Sequence, residues 1–278
     1  MPSSAPLNVE DIRRTLATST IGHHLYLHQE VSSTNAEALS LAEAGAAHGT
    51  VVTAESQSSG RGRHARAWFS PSGTNIYCSI VVRDIGPHSL PVEWLSWIPL
   101  ISALASVQAV DRMVAVPLSL KWPNDLLLHE RKVGGILCER SLASTGDPIV
   151  VIGIGLNVNV PRASFPEALQ PIAASLIEVT HQPIDRNRLI AQLLLDLEQQ
   201  LDELRFHGPP RSRQAYTARC ATLGRSVRVV LGDEHELIGR AESIAIDGAL
   251  QVRPSSPSSA SKSPLINVRA ADVIHLRE

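Results

Sequence analysis

Apolar residues recur along the chain with two periods, and the change from one to the other marks out the elements. Ile76, Cys78, Ile80 and Val82 share one face of residues 75–83, the period-two pattern of a strand. Residues 50–55 form a short apolar run, and residues 118–122, 132–139 and 148–160 read as further strands. A spacing of three or four takes over at residues 92–113 and 185–206. In the second of these, Leu189, Leu193, Leu197, Leu201 and Leu204 form one stripe, so the pattern predicts amphipathic helices. Residues 9–16 suit two helical turns. Residues 211–223 suit another helix after the break at Gly208-Pro209-Pro210. Thr34-Asn35-Ala36-Glu37 reads as a capping box: the Thr34 hydroxyl would accept from the third helical amide, and Glu37 would reach back.

From Arg225 the texture changes. Short β-rich runs at 227–231, 237–246, 249–253, 265–268 and 273–276 are separated by Gly-Asp, Asp-Gly and Ser/Pro segments, which predicts a small β-barrel of about 50 residues. Residues 254–264 are Ser/Pro-rich and are expected to be a mobile loop. Apolar residues make up 44 % of the 278, enough for a core, and aromatics only 4 %, so that core must be aliphatic. A net charge of −2 excludes a polycation built wholesale for nucleic acid. The cysteines Cys78, Cys138 and Cys220 stand far apart, which supports neither a zinc ribbon nor a disulfide framework. The longest apolar tract, 98–110, is interrupted by Ser and Gln and falls short of the ~20 residues of a membrane span. No basic stretch followed by an apolar run opens the chain. A soluble, cytoplasmic protein is expected.

Three segments carry chemistry. In residues 56–68, Gly60 and Gly62 let backbone amides approach a ligand, Arg61, Arg63 and Arg66 offer forked donors, and Trp68 can stack on a flat ring. An exposed Arg-Gly loop or a single-strand nucleic-acid contact fits the same residues. Lys121-Trp122-Pro123-Asn124-Asp125 and Lys132-Val133-Gly134-Gly135 suggest a hairpin with one lysine on each strand, aimed at an anion or simply solvated. Gly153-Ile154-Gly155-Leu156-Asn157 begins like a dinucleotide fingerprint but lacks the third glycine and the helix. It reads as a strand whose glycines face a pocket, with Asn157 at a base edge, or as a closely packed sheet. No phosphate-binding GxxxxGK[ST] loop, Ser-His-Asp set or metal-ligand spacing is present, and the adjacent His23-His24 diverge in a strand.

In this order the segments Ser33-Thr34-Asn35, Gln57 to Trp68, Lys121 to Asp125, Lys132 to Leu137 and Gly153 to Asn157 resemble the biotin protein ligase family, across about residues 25–276. The tail from Leu223-Gly224-Arg225 resembles that family's SH3-like domain. The resemblance implies an α+β fold related to class II aminoacyl-tRNA synthetases. A catalytic domain (1–222) would have a central mixed sheet with helices on one side, followed by the small barrel (223–278). It implies that biotin's carboxylate attacks the α-phosphate of Mg²⁺-bound ATP to give biotinyl-5′-AMP. A lysine of a biotin carboxyl carrier domain would then take the biotinyl group. No DNA or membrane partner is implied, and the chain would be a monomer or weak homodimer.

By resemblance, Lys132 bridges carboxylate and phosphate, and Gly60, Arg61 and Arg63 close over the ligand. Ser33, Thr34, Asn35 and Gln57 meet biotin's ureido ring. Gly134, Gly135, Gly153 and Gly155 line its slot. Trp68 stacks on adenine, Asn157 meets the adenine edge, and Arg66 and Asn124 complete the adenylate set. Lys121 joins the catalytic set, and Asp125 would help deprotonate the incoming lysine. The loop would order around ligand. The metal ligands are not legible. Ala65 stands where members often carry glycine, and the 32 residues before Ser33 are too few for the winged helix of members that repress transcription. A lipoate or octanoate ligase would instead carry an Arg-Arg-x-x-Gly-Gly-Gly-x-x-x-His stretch, absent here. Two further readings use some of the same residues: a nucleic-acid-binding protein whose contact is the Arg-Gly loop, and a biotin sensor without catalysis.

Overall fold

The computed structural model describes residues 5–83, 89–142, 146, 148–230, 236–255, 264–269 and 271–276. The Ser/Pro-rich tract lies mostly outside them.

Seven strands form one mixed sheet in the order β1-β2-β3-β7-β6-β5-β4. They are β1 (Leu25–Val31), β2 (Val51–Gln57), β3 (Ile76–Arg83), β4 (Ser119–Lys121), β5 (Asp125–Leu128), β6 (Arg131–Leu142) and β7 (Pro148–Leu156). Among these strands only β1 and β2 pair in parallel. The predicted strands are all present. The pattern does not predict β5, because Pro123-Asn124-Asp125 reads as a turn and residues 129–131 as a polar tip, and the few residues between them show no alternation of their own.

The period-two pattern decides which face is core. Ile76, Cys78, Ile80 and Val82 of β3 and Val150, Ile152, Ile154 and Leu156 of β7 point into the main apolar cluster. There they meet α3 (Ile98–Val114) and α5 (Arg186–His207). Pro99 sits in the first turn of α3, where its missing N–H costs nothing, and a 3-10 turn (Val92–Trp97) precedes it. α1 (Val9–Thr15) and α6 (Pro209–Arg219) pack against α5 on that side, whereas α2 (Thr34–Glu43) crosses the opposite face over Val52, Val81 and Val151. α6 stops short of residue 223 because Ala221 donates to the Leu120 carbonyl (2.8 Å), joining the chain to β4.

Five antiparallel strands follow in the order β11-β10-β9-β8-β12, where the sequence predicts the small barrel. They are β8 (Ser226–Val230), β9 (Glu236–Ile244), β10 (Leu250–Pro254), β11 (Ile266–Val268) and β12 (Asp272–His275). Their inward residues, Val227, Val229, Leu250 and Val252 among them, belong to the same apolar cluster as the main sheet. Two indoles pin the units together: Trp97 Nε1 donates to Ile246 O (2.8 Å) and Trp122 Nε1 to Gly248 O (3.0 Å). No helix among the described residues is long and apolar enough to cross a membrane.

One buried ion pair gathers three distant segments. Arg186, the first residue of α5, donates to both oxygens of Glu55 on β2 (2.7 and 3.2 Å), to Asn75 O (3.1 Å) and to Ala5 O (3.0 Å). Glu55 also accepts from Leu7 N at 2.5 Å. The side chains are 0 % and 5 % exposed. A charge buried this deeply is tolerated only while its partner remains. Glu55→Ala is therefore expected to lose about 3–5 kcal/mol of stability, the range for orphaning a buried charge. A urea titration would measure it; a change below about 1 kcal/mol would show that the guanidinium finds other partners.

Candidate active site

The face of the sheet opposite the core is bare where it matters. Because Ile154 and Leu156 point inward, Gly153 and Gly155 point outward. In register, Tyr77, Gly155, Gly135 and Asp125 form one row across four strands, and Ser79, Gly153 and Leu137 form the next. A Cβ on Gly153 would sit 2.0 Å from Asn35 Oδ1, and one on Gly155 would sit 2.8 Å from the Trp68 indole. These glycines are required by close approach, since a side chain at either would collide with Asn35 or Trp68, which lie against the floor. Above this floor is a cleft of about 1200 Å³, walled by both sheets.

One end of the cleft is polar. The pairing of Val31 with Gln57 brings the start of α2 beside the end of β2. The Thr34 amide (2.9 Å) and hydroxyl (3.2 Å) both donate to Gln57 Oε1. Ser79 Oγ lies 2.8 Å from Thr34 Oγ1 and donates to Asn35 Oδ1 (2.6 Å), while Asn35 Nδ2 donates to Leu137 O (3.1 Å) and Glu139 Oε2 (2.8 Å). The expected capping box is corrected here. Thr34 is the first helical residue, Ser33 is the cap position without a side-chain cap bond, and the Thr34 hydroxyl is recruited by Gln57.

The other end is charged. Lys132 Nζ is 2.6 Å from Asp125 Oδ1 and 5.4 Å from the centre of the Trp68 ring. Regular alternation from Gly135 would turn Val133, not Lys132, toward the cleft. A register shift between Leu126 and Leu127 changes that: Val133 is buried in the core, and the Lys132 side chain lies over Gly135, 3.2 Å from its absent Cβ. Lys121 also lines the cleft; burial lowers its ammonium below the usual range, and Asp125 opposes that fall. Trp68 Nε1 is buried and has no acceptor among the described residues.

The three arginines diverge. Arg61 pairs with Glu139 (3.4 Å). Arg63 donates to Asn124 Oδ1 and to Ala271 O (3.1 Å each), and burial pulls its guanidinium below the usual range. Arg66 pairs with Asp272, and His64 lies 3.4 Å from the same carboxylate. A loop too rich in Gly and Ser to hold itself is thus tied to the second sheet. His64 and Ala65 have φ of 54° and 55°. That left-handed conformation costs a residue with a Cβ about 1–2 kcal/mol, so a glycine would occupy position 65 more easily.

Every expected site residue lines the cleft except Gly60 and Gly134. Gly60 packs under the loop, where a Cβ would meet Ser70 Oγ at 2.6 Å; Gly134 faces away from the cleft, toward Leu156 and the Gly155 carbonyl. Asn157 is a buried strut: its Nδ2 donates to Ala174 O (3.0 Å) and its Oδ1 accepts from Asn75 (3.3 Å). These bonds occupy the amide expected at a base edge. Ser79, Glu139, Asp272 and His275 are in or against the site, and no sequence motif points to them. His275 is brought down to about 4, chiefly by burial and then by Lys121 and Arg225, so it is neutral at pH 7. Each belongs to a strand whose pattern records only burial. No group of three or more His, Cys, Asp or Glu among the described residues is placed to hold a metal ion.

Residues 27–159 match the model of the biotin/lipoate A/B protein ligase family. A biotin–[acetyl-CoA-carboxylase] ligase of Mycobacterium tuberculosis is 35 % identical over 277 residues, covering 98 % of this chain and 97 % of that protein. A bifunctional ligase/repressor of Bacillus subtilis is 36 % identical over 202 residues, covering 73 % of this chain but only 61 % of its own length. A solved biotin protein ligase from Aquifex aeolicus, in complex with biotin and ATP, superposes with a TM-score of 0.76 at 25 % identity, covering 92 % of this chain and all of that one. With the bare glycine floor, the polar pocket and the Lys132–Asp125 pair already in view, the comparisons settle the kinship: the chain belongs to the biotin protein ligases of the biotin/lipoate A/B protein ligase family.

Proposed function

We propose that the protein joins biotin to ATP, forming biotinyl-5′-AMP and pyrophosphate, and transfers the biotinyl group to a lysine of a biotin carboxyl carrier domain in the cytoplasm. The observation that carries this reading is the lysine–aspartate pair at the charged end of a glycine floor, beside an indole and across the cleft from a polar pocket. A slim, flat acid fits such a trough with its ring at Thr34, Asn35 and Gln57 and its carboxylate beneath Lys132. A ureido ring, with N–H donors and a carbonyl, suits that polar end. A dithiolane would leave the same groups without exchange partners, which disfavours lipoate.

In the first step a carboxylate oxygen attacks the α-phosphorus, the bond to the β-phosphate oxygen breaks, and pyrophosphate leaves. Two anions must meet, so fixed cations are the main requirement. Lys132 and Arg61 supply them, and Asp125 aims the ammonium. Arg63 and Arg66 hold the loop in place. Trp68 offers its ring to the adenine. Mg²⁺ accompanies the triphosphate. In the second step an amine attacks the acyl carbon and AMP departs. A free lysine is neutral in only about one molecule in 2,500 at pH 7, so a carboxylate near the entrance, Asp125, helps it lose its proton.

Purified protein is expected to exchange labelled pyrophosphate into ATP with biotin and not with lipoate or octanoate. Exchange with lipoate instead would move the chain to the neighbouring ligases. Lys132→Ala should slow adenylation by about 10²–10³, the scale of one preorganised donor; a loss under tenfold would remove Lys132 from the chemistry. Asp125→Asn should transfer preformed biotinyl-AMP about tenfold or more slowly, the lower end of general-base effects, and an unchanged single-turnover rate would end its role as base. Gly153→Ala, whose methyl would overlap the Asn35 amide, should raise the KM for biotin by about tenfold or more with a smaller change in the KM for ATP. Equal effects on both substrates would place the ring elsewhere.

A further inference from the structure

The polar end of the cleft turns on which way one amide faces. Asn35, the second residue of α2, overhangs the floor. A Cβ on Gly153 would sit 2.0 Å from its Oδ1 but 2.9 Å from its Nδ2, so the oxygen is the end nearer the trough. The partners of the amide account for this. Nδ2 donates to Leu137 O (3.1 Å) and to Glu139 Oε2 (2.8 Å). From the other side Ser79 Oγ donates to Oδ1 at 2.6 Å. An amide nitrogen carries two hydrogens and an amide oxygen two lone pairs. Both hydrogens are thus taken, and among the described residues one lone pair of Oδ1 stays open above the floor.

Turning the amide over would set Oδ1 against a carbonyl and a carboxylate, neither of which can donate. The Leu137 carbonyl is backbone and would be there with any side chain. The Glu139 carboxylate is particular to this sequence. Packing does not call for it: Glu139 lies opposite Val151, which belongs to the apolar patch under α2, and a hydrocarbon would suit that neighbour as well. The two oxygens of Glu139 divide their work. Oε2 takes the Asn35 amide, and Oε1 lies 3.4 Å from the Arg61 guanidinium, so the loop steadies the carboxylate from the other side.

We propose that Glu139 is a positioning residue for ligand selection: by holding the Asn35 amide with its oxygen toward the floor, it commits this end of the cleft to a ring that presents an N–H. This rests on the biotin-activating reading above and names the feature of the ring that is read. A ureido N–H would complete the open lone pair. A ring oxygen or sulfur at the same point would face Oδ1 with a second acceptor and leave both unpaired. Sites that leave a buried polar group unpaired reject the wrong ligand more strongly than shape alone does.

The test compares biotin with its two cyclic carbamates, in each of which one ureido N–H is replaced by oxygen. Their kcat/KM values are measured by pyrophosphate exchange for wild type, Glu139→Gln and Glu139→Met. Glutamine keeps an acceptor for Asn35 and loses the charge; methionine keeps the bulk and loses the acceptor. The Glu139 side chain is 29 % exposed, so both variants should fold, and thermal unfolding checks this, with Glu139→Ala as a second acceptor-free variant. Wild type is expected to prefer biotin over at least one carbamate by about a hundredfold or more. Glu139→Met should cut that preference by about tenfold or more, through the KM for biotin rather than kcat, and Glu139→Gln should keep it within about threefold. In an Asn35→Ala background, Glu139→Met should change it no further. An undiminished preference in Glu139→Met, an equal loss in Glu139→Gln, or additive effects with Asn35→Ala would overturn the proposal. The wild type separates the failures. No exchange with biotin removes biotin activation itself; exchange with biotin and both carbamates alike removes only this inference.

Discussion

Everything at this site depends on a sheet that is apolar on one face and, on the other, stripped to glycine at Gly135, Gly153 and Gly155 beside the patch that α2 covers. β7 meets both demands through Gly153-Ile154-Gly155-Leu156, whose isoleucine and leucine anchor the core while its glycines leave a trough. The trough's depth comes from missing Cβ atoms, and the 2.0 Å approach of Asn35 to the absent Cβ of Gly153 shows how little room there is. A groove made by omission is rigid, because its floor is hydrogen-bonded backbone. Ligand specificity then passes to the few side chains that overhang it.

Those side chains come from elements far apart in sequence, and each is held by something other than ligand. Thr34 and Gln57 hold each other; Lys132 is held by Asp125; Asn35 and Arg61 meet at Glu139. The second sheet takes part in the same way. Ala271 and Asp272, at the start of β12, fix Arg63 and Arg66, so the C-terminal unit holds the loop that covers the cleft. The continuous apolar core beneath the two sheets makes that grip firm. The small C-terminal unit thereby acts as part of the site.

The elements were legible because they obey local periods. Alternation gave β3 and β7, and the leucine stripe gave α5, whose N-cap Asp185 accepts from the amides of Asn187 and Arg188. Most site residues were named through the resemblance that the ordered segments carry together, since each segment alone also suits an exposed Arg-Gly loop, a solvated hairpin or a closely packed sheet. β5 escaped because a few residues between a turn and a polar tip carry too little pattern. The cap at the start of α2 differs from the local pattern because a distant glutamine takes the Thr34 hydroxyl.

The sequence by itself determined which residues face the core, where the strands and helices run, and which segments carry charge and glycine. Those properties depend on neighbours two to four positions away. Tertiary structure alone decided that Lys132 points into the cleft, since the bulge beside Leu127 overrides strict alternation. It also decided that Asn157 serves as a strut, that α2 takes the face opposite the other helices, and that Asp272 braces the arginine loop across 206 positions from Arg66. These are matters of register and long-range pairing. Their energies arise only when segments meet, so no local pattern records them.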